Sequence, residues 1–330
     1  MADLSGPQMG ATLFAFTNEF LTRRHDFESL LRQVAARGLG PGVEIVGFQS
    51  IRGFPEVTEE FAGRLKQLID ELGLRPTSLG INSDRYMKRG EPVSDDFLLE
   101  YHKRQMRSAA RLGFPIVRYQ YSTPPEMLRD LAPFAEDLGL RMGLEIHAPA
   151  HANHPVVLAY REIYEELGSP ALGWIPDFGG TASRIPASML AAARSRGVPE
   201  ALIALMLEIW PEDGSPPERV QRLRDAGLRA GHAPEHLQIV SLPFFMLSRA
   251  DPRSWAELVD RTIHIHGKFY GVTDEGEEEA IDYATILPIF RDSGFTGTIV
   301  SEWEGHAYSE ADAFDQVARH QAMCRRILAG

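Results

Sequence analysis

The sequence predicts an α/β fold: one closed (β/α)8 barrel domain with a helical insertion between its sixth and seventh strands. Three observations carry this reading. Eight short runs rich in β-branched and aromatic residues alternate with amphipathic helical patterns. Gly38, Gly73, Gly113, Gly139 and Gly168 each fall where a helical pattern stops, the place for a left-handed cap without a Cβ. After the first strand, Thr17, Asn18 and Glu19 supply none of the close-approach glycines that an open dinucleotide-binding sheet needs.

Taken in order, the expected strands are Ala11–Phe16, Val43–Phe48, Pro76–Ile81, Ile116–Tyr121, Met142–His147, Ala171–Asp177, Thr262–Gly267 and Thr298–Glu304. Between them, helical spacing is expected near 26–37, 57–72, 95–112, 125–138, 156–167 and 281–292, with a last helix at 310–328. In the fourth helix Met127, Leu128, Leu131, Phe134, Ala135 and Leu138 recur on one face. The interval 178–261 breaks the rhythm, with helical patterns near 187–194, 199–209, 216–229 and 253–260 and a Pro-flanked stretch at 233–247. It reads as the sixth barrel helix plus a helical excursion, placed to wall the pocket or to dock a partner. A small separate domain is the other reading.

The chain has 330 residues, 44% hydrophobic and 24% charged, so it can bury a large core; with one cysteine it does so without disulfides. Its net charge of −12 is the opposite of what a nucleic-acid or anionic-membrane binder carries. Only four lysines occur, Lys66, Lys88, Lys103 and Lys268. The N-terminal decapeptide has no basic segment leading into an apolar one, and no apolar stretch approaches membrane-spanning length. Cys324 fits a small core residue in the last helix. The expectation is a cytoplasmic protein with no nucleic-acid and no membrane role.

A barrel builds its site where strands end and βα loops begin. The fifth strand ends with Glu145 and His147, two apart and so on one side of the strand. They could form a salt bridge across the barrel top. Asp177 tips the sixth strand, where a helix cap before Gly179–Gly180 is the simpler reading. The seventh carries His264, His266 and Lys268 in one phase, and the eighth carries Glu302 and Glu304 with His306 beyond. Four consecutive strands thus end in carboxylates or imidazoles, and like charges so close need a cation, a shared proton or water. A divalent metal on Glu145, Asp177, His266 and Glu302 accounts for them together. Three oxygen donors and one nitrogen suit Mn2+ or Mg2+, with Co2+ or catalytic Zn2+ left open. By phase alone, His264 and His266 are equivalent third ligands.

These motifs resemble the xylose-isomerase-like sugar isomerase and epimerase superfamily, TIM barrels whose divalent ion sits on Glu, Asp, His and Glu from the last four strands. The resemblance favours His266, because the family's ligand histidine precedes the strand-ending turn, here Gly267–Lys268. Longer segments at 12–19, 40–55, 145–149, 175–179, 266–270 and 301–306 resemble the large, barrel-forming subunit of bacterial C-glycoside deglycosidases. That resemblance implies a carbon–carbon lyase acting on 3-oxo C-glycosides and a divalent metal, typically manganese. It also implies a small, strand-rich β-subunit of about 120–150 residues, the size of one ordinary domain.

The expected chemistry begins with a metal-polarised sugar carbonyl and removal of the proton beside it. His147, two residues past a ligand, is the expected base; Glu304, also two past a ligand, is the competing base or acid. Lys268 and His264 complete the catalytic set, Lys268 as an oxyanion contact or a holder of substrate hydroxyls. His306, Arg52, Trp303 and Phe178 are expected to bind substrate, and Arg118 to meet a polar substrate group or pair with an acid. The aromatic residues Phe16, Phe48, Tyr119, Tyr121, Trp174, Phe269 and Tyr270 would complete an entrance suited to an aromatic aglycone. The alternative reading is a metal-dependent sugar isomerase, epimerase or inosose-type dehydratase on the same site. An endonuclease for abasic sites is disfavoured by the net charge, and a scaffold without catalysis would be expected to lack ligands.

Overall fold

The computed structural model describes residues 6–87 and 90–330; residues 1–5 of the N-terminal decapeptide and Lys88 lie outside them. Eight parallel strands form the wall of a barrel: β1 Gln8–Thr12, β2 Gly42–Val46, β3 Arg75–Gly80, β4 Ile116–Tyr119, β5 Arg141–Ile146, β6 Leu172–Pro176, β7 Ile265–Phe269 and β8 Thr298–Trp303. Their order is β6-β5-β4-β3-β2-β1-β8-β7, so every chain neighbour except β6 and β7 is paired by a full ladder. Isolated parallel bridges close that last seam, Trp174 to Thr262 and Asp177 to His266. The Ile263 N–H donates to the Trp174 carbonyl there at 3.0 Å.

Outside the wall run α1 Phe27–Ala36, α2 Glu59–Glu71, α3 Asp95–Leu112, α4 Leu128–Asp137 and α5 Pro155–Leu167. In the insertion follow α6 Ala187–Ser195, α7 Glu200–Ile209, α8 Pro216–Arg229 and α9 Pro234–Ser241, and then α10 Tyr283–Asp292 and α11 Ala313–Ala329. Local chemistry sets their ends. Asp26, Thr58 and Ser94 each accept a first-turn N–H, and Gly113 and Gly168 end α3 and α5 in the left-handed region. Among the described residues no helix is long and apolar enough to cross a membrane.

Two strands sit elsewhere than their apolar runs suggest. The first is Gln8–Thr12 rather than Ala11–Phe16, because Thr12 accepts the Phe14 N–H and turns Leu13–Phe16 into a 3-10 helix. Phe16 then stacks on Phe314 of α11 at 4.6 Å. The seventh strand begins at Ile265, not Thr262, since the preceding 3-10 segment Pro252–Arg261 ends only at Arg261. That segment packs against β6 and α10, taking the place expected for a sixth barrel helix, while α6–α9 form the excursion. The buried core continues from the barrel into the excursion through Leu202, Leu223, Leu237 and Phe244.

The barrel floor is an isoleucine plug of Ile116, Ile175 and Ile263. Facing it, Gly143 and Gly173 leave room that a Cβ would fill, at 2.4 and 2.5 Å from Ile175 and Ile263. Higher on the same wall, α3 holds the loops after β3 and β4 through one buried imidazole. His102 Nδ1–H donates to the Leu98 carbonyl at 2.7 Å, leaving Nε2 to accept from the Ser83 hydroxyl at 3.2 Å, which in turn accepts from Thr123 Oγ1 at 2.8 Å.

Burial pulls His102 down to about 4, so the fold holds it neutral. Its stabilising share is complete above its ordinary pKa of 6.5 and is lost as pH falls toward 4. Between about pH 7.5 and about pH 5 the wild type is expected to lose about 2 kcal/mol more than His102→Gln. Urea unfolding of both proteins at the two pH values measures this; equal losses would reject it.

Candidate metal centre at the barrel mouth

The side-chain alternation of a strand stacks charged groups above the isoleucine plug. The lower layer holds Glu44 of β2, Arg118 of β4 and His264, and each is buried. Glu44 is the one acid in a five-residue strand that is buried throughout. Arg118 fits because β3 presents Gly80 to it: a Cβ there would lie 2.5 Å from Nη2. The upper layer holds Glu145, Asp177, His266 and Glu302, all at most 6% exposed, with one donor atom from each within 4.8 Å of the others.

Each of these groups is fixed from outside. Arg118 Nη1 donates to Glu145 Oε2 at 2.6 Å and Gln120 Nε2 to the same oxygen at 2.9 Å. Glu145 Oε1 is left facing His266 Nδ1 at 2.9 Å, with Glu302 Oε2 3.0 Å from the same nitrogen. The other ring nitrogen, Nε2, lies 2.9 Å from Glu44 Oε2. A carboxylate only accepts, so Nε2 carries the hydrogen and the lone pair of a neutral ring sits on Nδ1. Asp177 Oδ1 accepts the Gly179 N–H at 2.8 Å, turning Oδ2 toward Lys268 Nζ at 2.9 Å. Lys268 also lies 3.2 Å from Glu304 and 3.6 Å from Glu302.

A hydrogen-bonded brace holds β7 and β8 behind these groups. The Tyr283 hydroxyl donates to the Lys268 carbonyl at 2.8 Å and so accepts from His320 Nε2–H at 2.7 Å. His320 Nδ1 is then free to accept from Ser301 Oγ at 2.9 Å. Ser301 precedes Glu302, so the brace ties the backbone beside one upper-layer acid to the backbone of Lys268.

The donor set fits a divalent cation on two grounds. Four buried carboxylates, Glu44, Glu145, Asp177 and Glu302, face two fixed cations, Arg118 and Lys268, leaving two negative charges to be answered. His266 Nδ1, Asp177 Oδ2 and Glu302 Oε2 are also buried without a hydrogen-bond partner among the described residues, although charged neighbours stand close. Burial works against a charged His266, yet Glu44, Glu302 and Glu145 hold its pKa well above the usual imidazole range. Burial, with Glu302 and Glu145 adding to it, pushes Asp177 up to about 6 against the pull of Lys268. Burial likewise opposes a charged Lys268, but Asp177, Glu302 and Glu304 keep it an ammonium.

The other expected site residues divide. His147 is half-buried at the mouth, two residues beyond Glu145. Its Nδ1–H donates to the Ala148 carbonyl at 2.8 Å, which leaves the Nε2 lone pair free. Glu304 is half-buried beside Lys268. His306 lies at the rim, half-buried, with Nδ1–H on the Trp303 carbonyl at 2.6 Å. Arg52 is exposed in the loop after β2, outside the buried cluster.

Three expectations are corrected. His264 is fully buried in the lower layer with Nε2 3.2 Å from Glu44, so it backs His266 rather than meeting a substrate. Phe178 has no exposed surface and packs among Trp255, Tyr283 and Phe290. Trp303 is 1% exposed, with its indole N–H on the Tyr270 carbonyl at 3.3 Å. Of the expected entrance aromatics, Phe16, Tyr119, Trp174, Phe269 and Tyr270 are buried packing, while Phe48 is exposed. Sequence reasoning missed Glu44; its signal was an acid at the centre of an otherwise apolar strand. Of the two roles left open for Arg118, the structure shows the pairing with an acid.

Comparison with known proteins sets this geometry in context. Residues 31–326 match the xylose isomerase-like TIM-barrel family. The chain is 37% identical over 337 aligned positions to the 3'-dehydrocarminate deglycosidase alpha subunit of Microbacterium sp, covering 99% of this chain and 97% of that one. It is 38% identical to the C-glycoside deglycosidase alpha subunit of Microbacterium trichothecenolyticum, covering 98% and 91%. Among solved structures, an L-ribulose 3-epimerase superposes with a TM-score of 0.58 at 13% identity, covering 98% and 95%. A D-psicose 3-epimerase from Clostridium cellulolyticum H10 gives 0.58 at 12% identity, covering 92% and 94%. At those identities the likeness is one of fold.

After loading with Mn2+ and desalting, elemental analysis should find about one ion per chain, and less than about a tenth of that in Glu302→Ala. Glu44→Gln should keep the ion but weaken its affinity by about 10–100-fold, since Glu44 orients a donor without being one. Full occupancy in Glu302→Ala would reject the donor set.

Proposed function

This chain belongs to the C-glycoside deglycosidase alpha subunits of the xylose isomerase-like TIM-barrel family, and from that membership we propose that it cleaves the carbon–carbon bond of 3-oxo C-glycosides as a metal-dependent lyase. The observation that carries the reading is the buried cluster of Glu145, Asp177, His266 and Glu302 with the free Nε2 of His147 beside it. The names of the relatives support the substrate class and, as alpha subunits, a second subunit that works with this chain.

Glu145, Asp177, His266 and Glu302 would hold the divalent ion, with Mn2+ favoured by three oxygen donors and one nitrogen. When bound, the ion polarises the 3-oxo group of the sugar and lowers the cost of losing the neighbouring proton. His147 Nε2 takes the proton from C2, because its tautomer is set by the Ala148 carbonyl and the lone pair is available. The electron pair of the C2–H bond becomes the C1=C2 double bond as the bond from C1 to the aglycone breaks. The departing pair goes to the aglycone ring carbon, which takes up one proton. The products are a 1,2-unsaturated 3-oxo sugar and the free aglycone.

Lys268 remains an ammonium, so it donates to sugar oxygens rather than acting as a base. Glu304, held by Lys268 at 3.2 Å, is positioned to carry a proton between sugar and aglycone. His306, at the rim beside Trp303, orients the sugar hydroxyls. The pair Lys268–Glu304 and His147 would then face the substrate from different strands, as a barrel mouth allows.

Incubation of the chain and its second subunit with a 3-oxo C-glucoside should release free aglycone and the unsaturated sugar, followed by chromatography and mass spectrometry. His147→Ala should lower kcat by about 100-fold or more with its metal content intact. Formation of an epimerised sugar alone, with no aglycone, would overturn the reading in favour of an epimerase.

A further inference from the structure

Between the loop after β5 and the helical insertion lies a cavity of about 620 Å³, within the range of small-ligand sites. Pro149, Leu247 and Phe245, the last 44% exposed, give it apolar walls. Arg219 and Arg249 supply its positive charge.

Arg219 is the unusual member. It sits in the first turn of α8 and is only 6% exposed. Its guanidinium lies over Trp210 and Phe244, 5.4 Å from each ring centre. Nη1 donates to the Trp210 carbonyl at 2.9 Å, but Nε has no acceptor, and among the described residues no carboxylate pairs with this cation. Among the described residues the other buried arginine, Arg118, has Glu145 at 2.6 Å. A guanidinium taken out of water without an anion is costly, and Arg219 has like charges, Arg249 and Arg222, nearby.

The local acids do not answer it. Glu212 pairs with Arg222 at 2.9 Å, and Asp213 is exposed at the rim. Glu218 caps its own helix, its carboxylate taking the Ser215 N–H at 2.7 Å and hydroxyl at 2.8 Å. Arg249 is exposed, and its one described hydrogen-bond acceptor is the Glu212 carbonyl at 3.5 Å. Two guanidiniums are thus available to one carboxylate, the group their planar fork matches best.

Two segments of the cavity's lining run back along the chain toward the metal centre. Pro149 is two residues beyond His147, and Arg249 bridges to Thr181, four beyond Asp177. We infer that the cavity binds an aromatic ring bearing a carboxylate, through Arg219 and Arg249, and, resting on the function proposed above, that this ring is the aglycone end of the substrate. The sugar then lies over the metal donors while the ring extends under the insertion. Stacking on Phe245 and the prolines contributes affinity, and the arginines select a charged aglycone over a neutral one.

The test is calorimetric titration of the Mn2+-loaded chain with 6-hydroxy-2-naphthoate and with the corresponding neutral amide. The acid should bind at least about tenfold more tightly, and Arg249→Gln, an exposed change that spares folding, should erase most of that preference. Equal affinities for acid and amide, or an undiminished preference in Arg249→Gln, would overturn the site. A kinetic arm uses the chain with its second subunit: Arg249→Gln should raise KM for a carboxylated 3-oxo C-glycoside at least about tenfold more than for a neutral one. No such difference, beside a lost naphthoate preference, refutes the aglycone assignment. If the wild type turns over no 3-oxo C-glycoside yet keeps the Arg249-dependent naphthoate preference, the proposed function fails and the anion site stands.

Discussion

The structure is organised around an uncompensated charge inside the barrel. A TIM barrel is normally filled by layers of branched apolar side chains, and here the lowest layer keeps that form in Ile116, Ile175 and Ile263. Above it, carboxylates replace hydrocarbon, and among the described residues only Arg118 and Lys268 stand against them as permanent cations. Buried charge without a partner destabilises a fold by several kcal/mol. Such an interior is tolerable when it is completed by something from outside. A divalent ion held there would meet that need, and in the proposed reaction it would supply the Lewis acid, giving stability and reactivity one origin.

Precision in the site comes from residues that never face a substrate. Glu44 fixes which nitrogen of His266 carries the hydrogen, and Arg118 with Gln120 occupies one oxygen of Glu145 so that the other turns inward. Gly80 is needed because Arg118 lies where a methyl group would stand. The brace from Ser301 through His320 and Tyr283 to the Lys268 carbonyl sets β7 against β8. Each of these acts at one remove, and each leaves a donor atom facing the centre.

The period-two pattern of the strands made the upper layer readable in the sequence. Glu145, His266 and Glu302 could be placed on inward faces from alternation alone, because a strand has only two faces. Depth was not readable in the same way. His264 and His266 share a phase but lie in different layers, and only the position of Glu44 on another strand separates them. Trp303 follows Glu302 on β8, where neighbours point to opposite faces, and Phe178 opens the 3-10 turn that Asp177 caps; both pack away from the mouth. Leu13–Phe16 looked like strand because its residues are apolar; Thr12, a cap, decided otherwise. Arg219 carried no sequence signal, since an arginine in the first turn of an amphipathic helix is ordinarily solvated.

The seam between β6 and β7 gives the metal donors a second meaning. It is the thinnest join in the wall, held by isolated bridges rather than a ladder, and one of those bridges is between Asp177 and His266. The groups that would grip the ion therefore sit on both lips of the opening from which the insertion departs. An ion held by these residues would be gripped from both lips, and would join them at the mouth of the barrel. Loss of the ion would then register in the backbone of the seam, and through Gly179 and Thr181 in the insertion, before any distant part of the barrel.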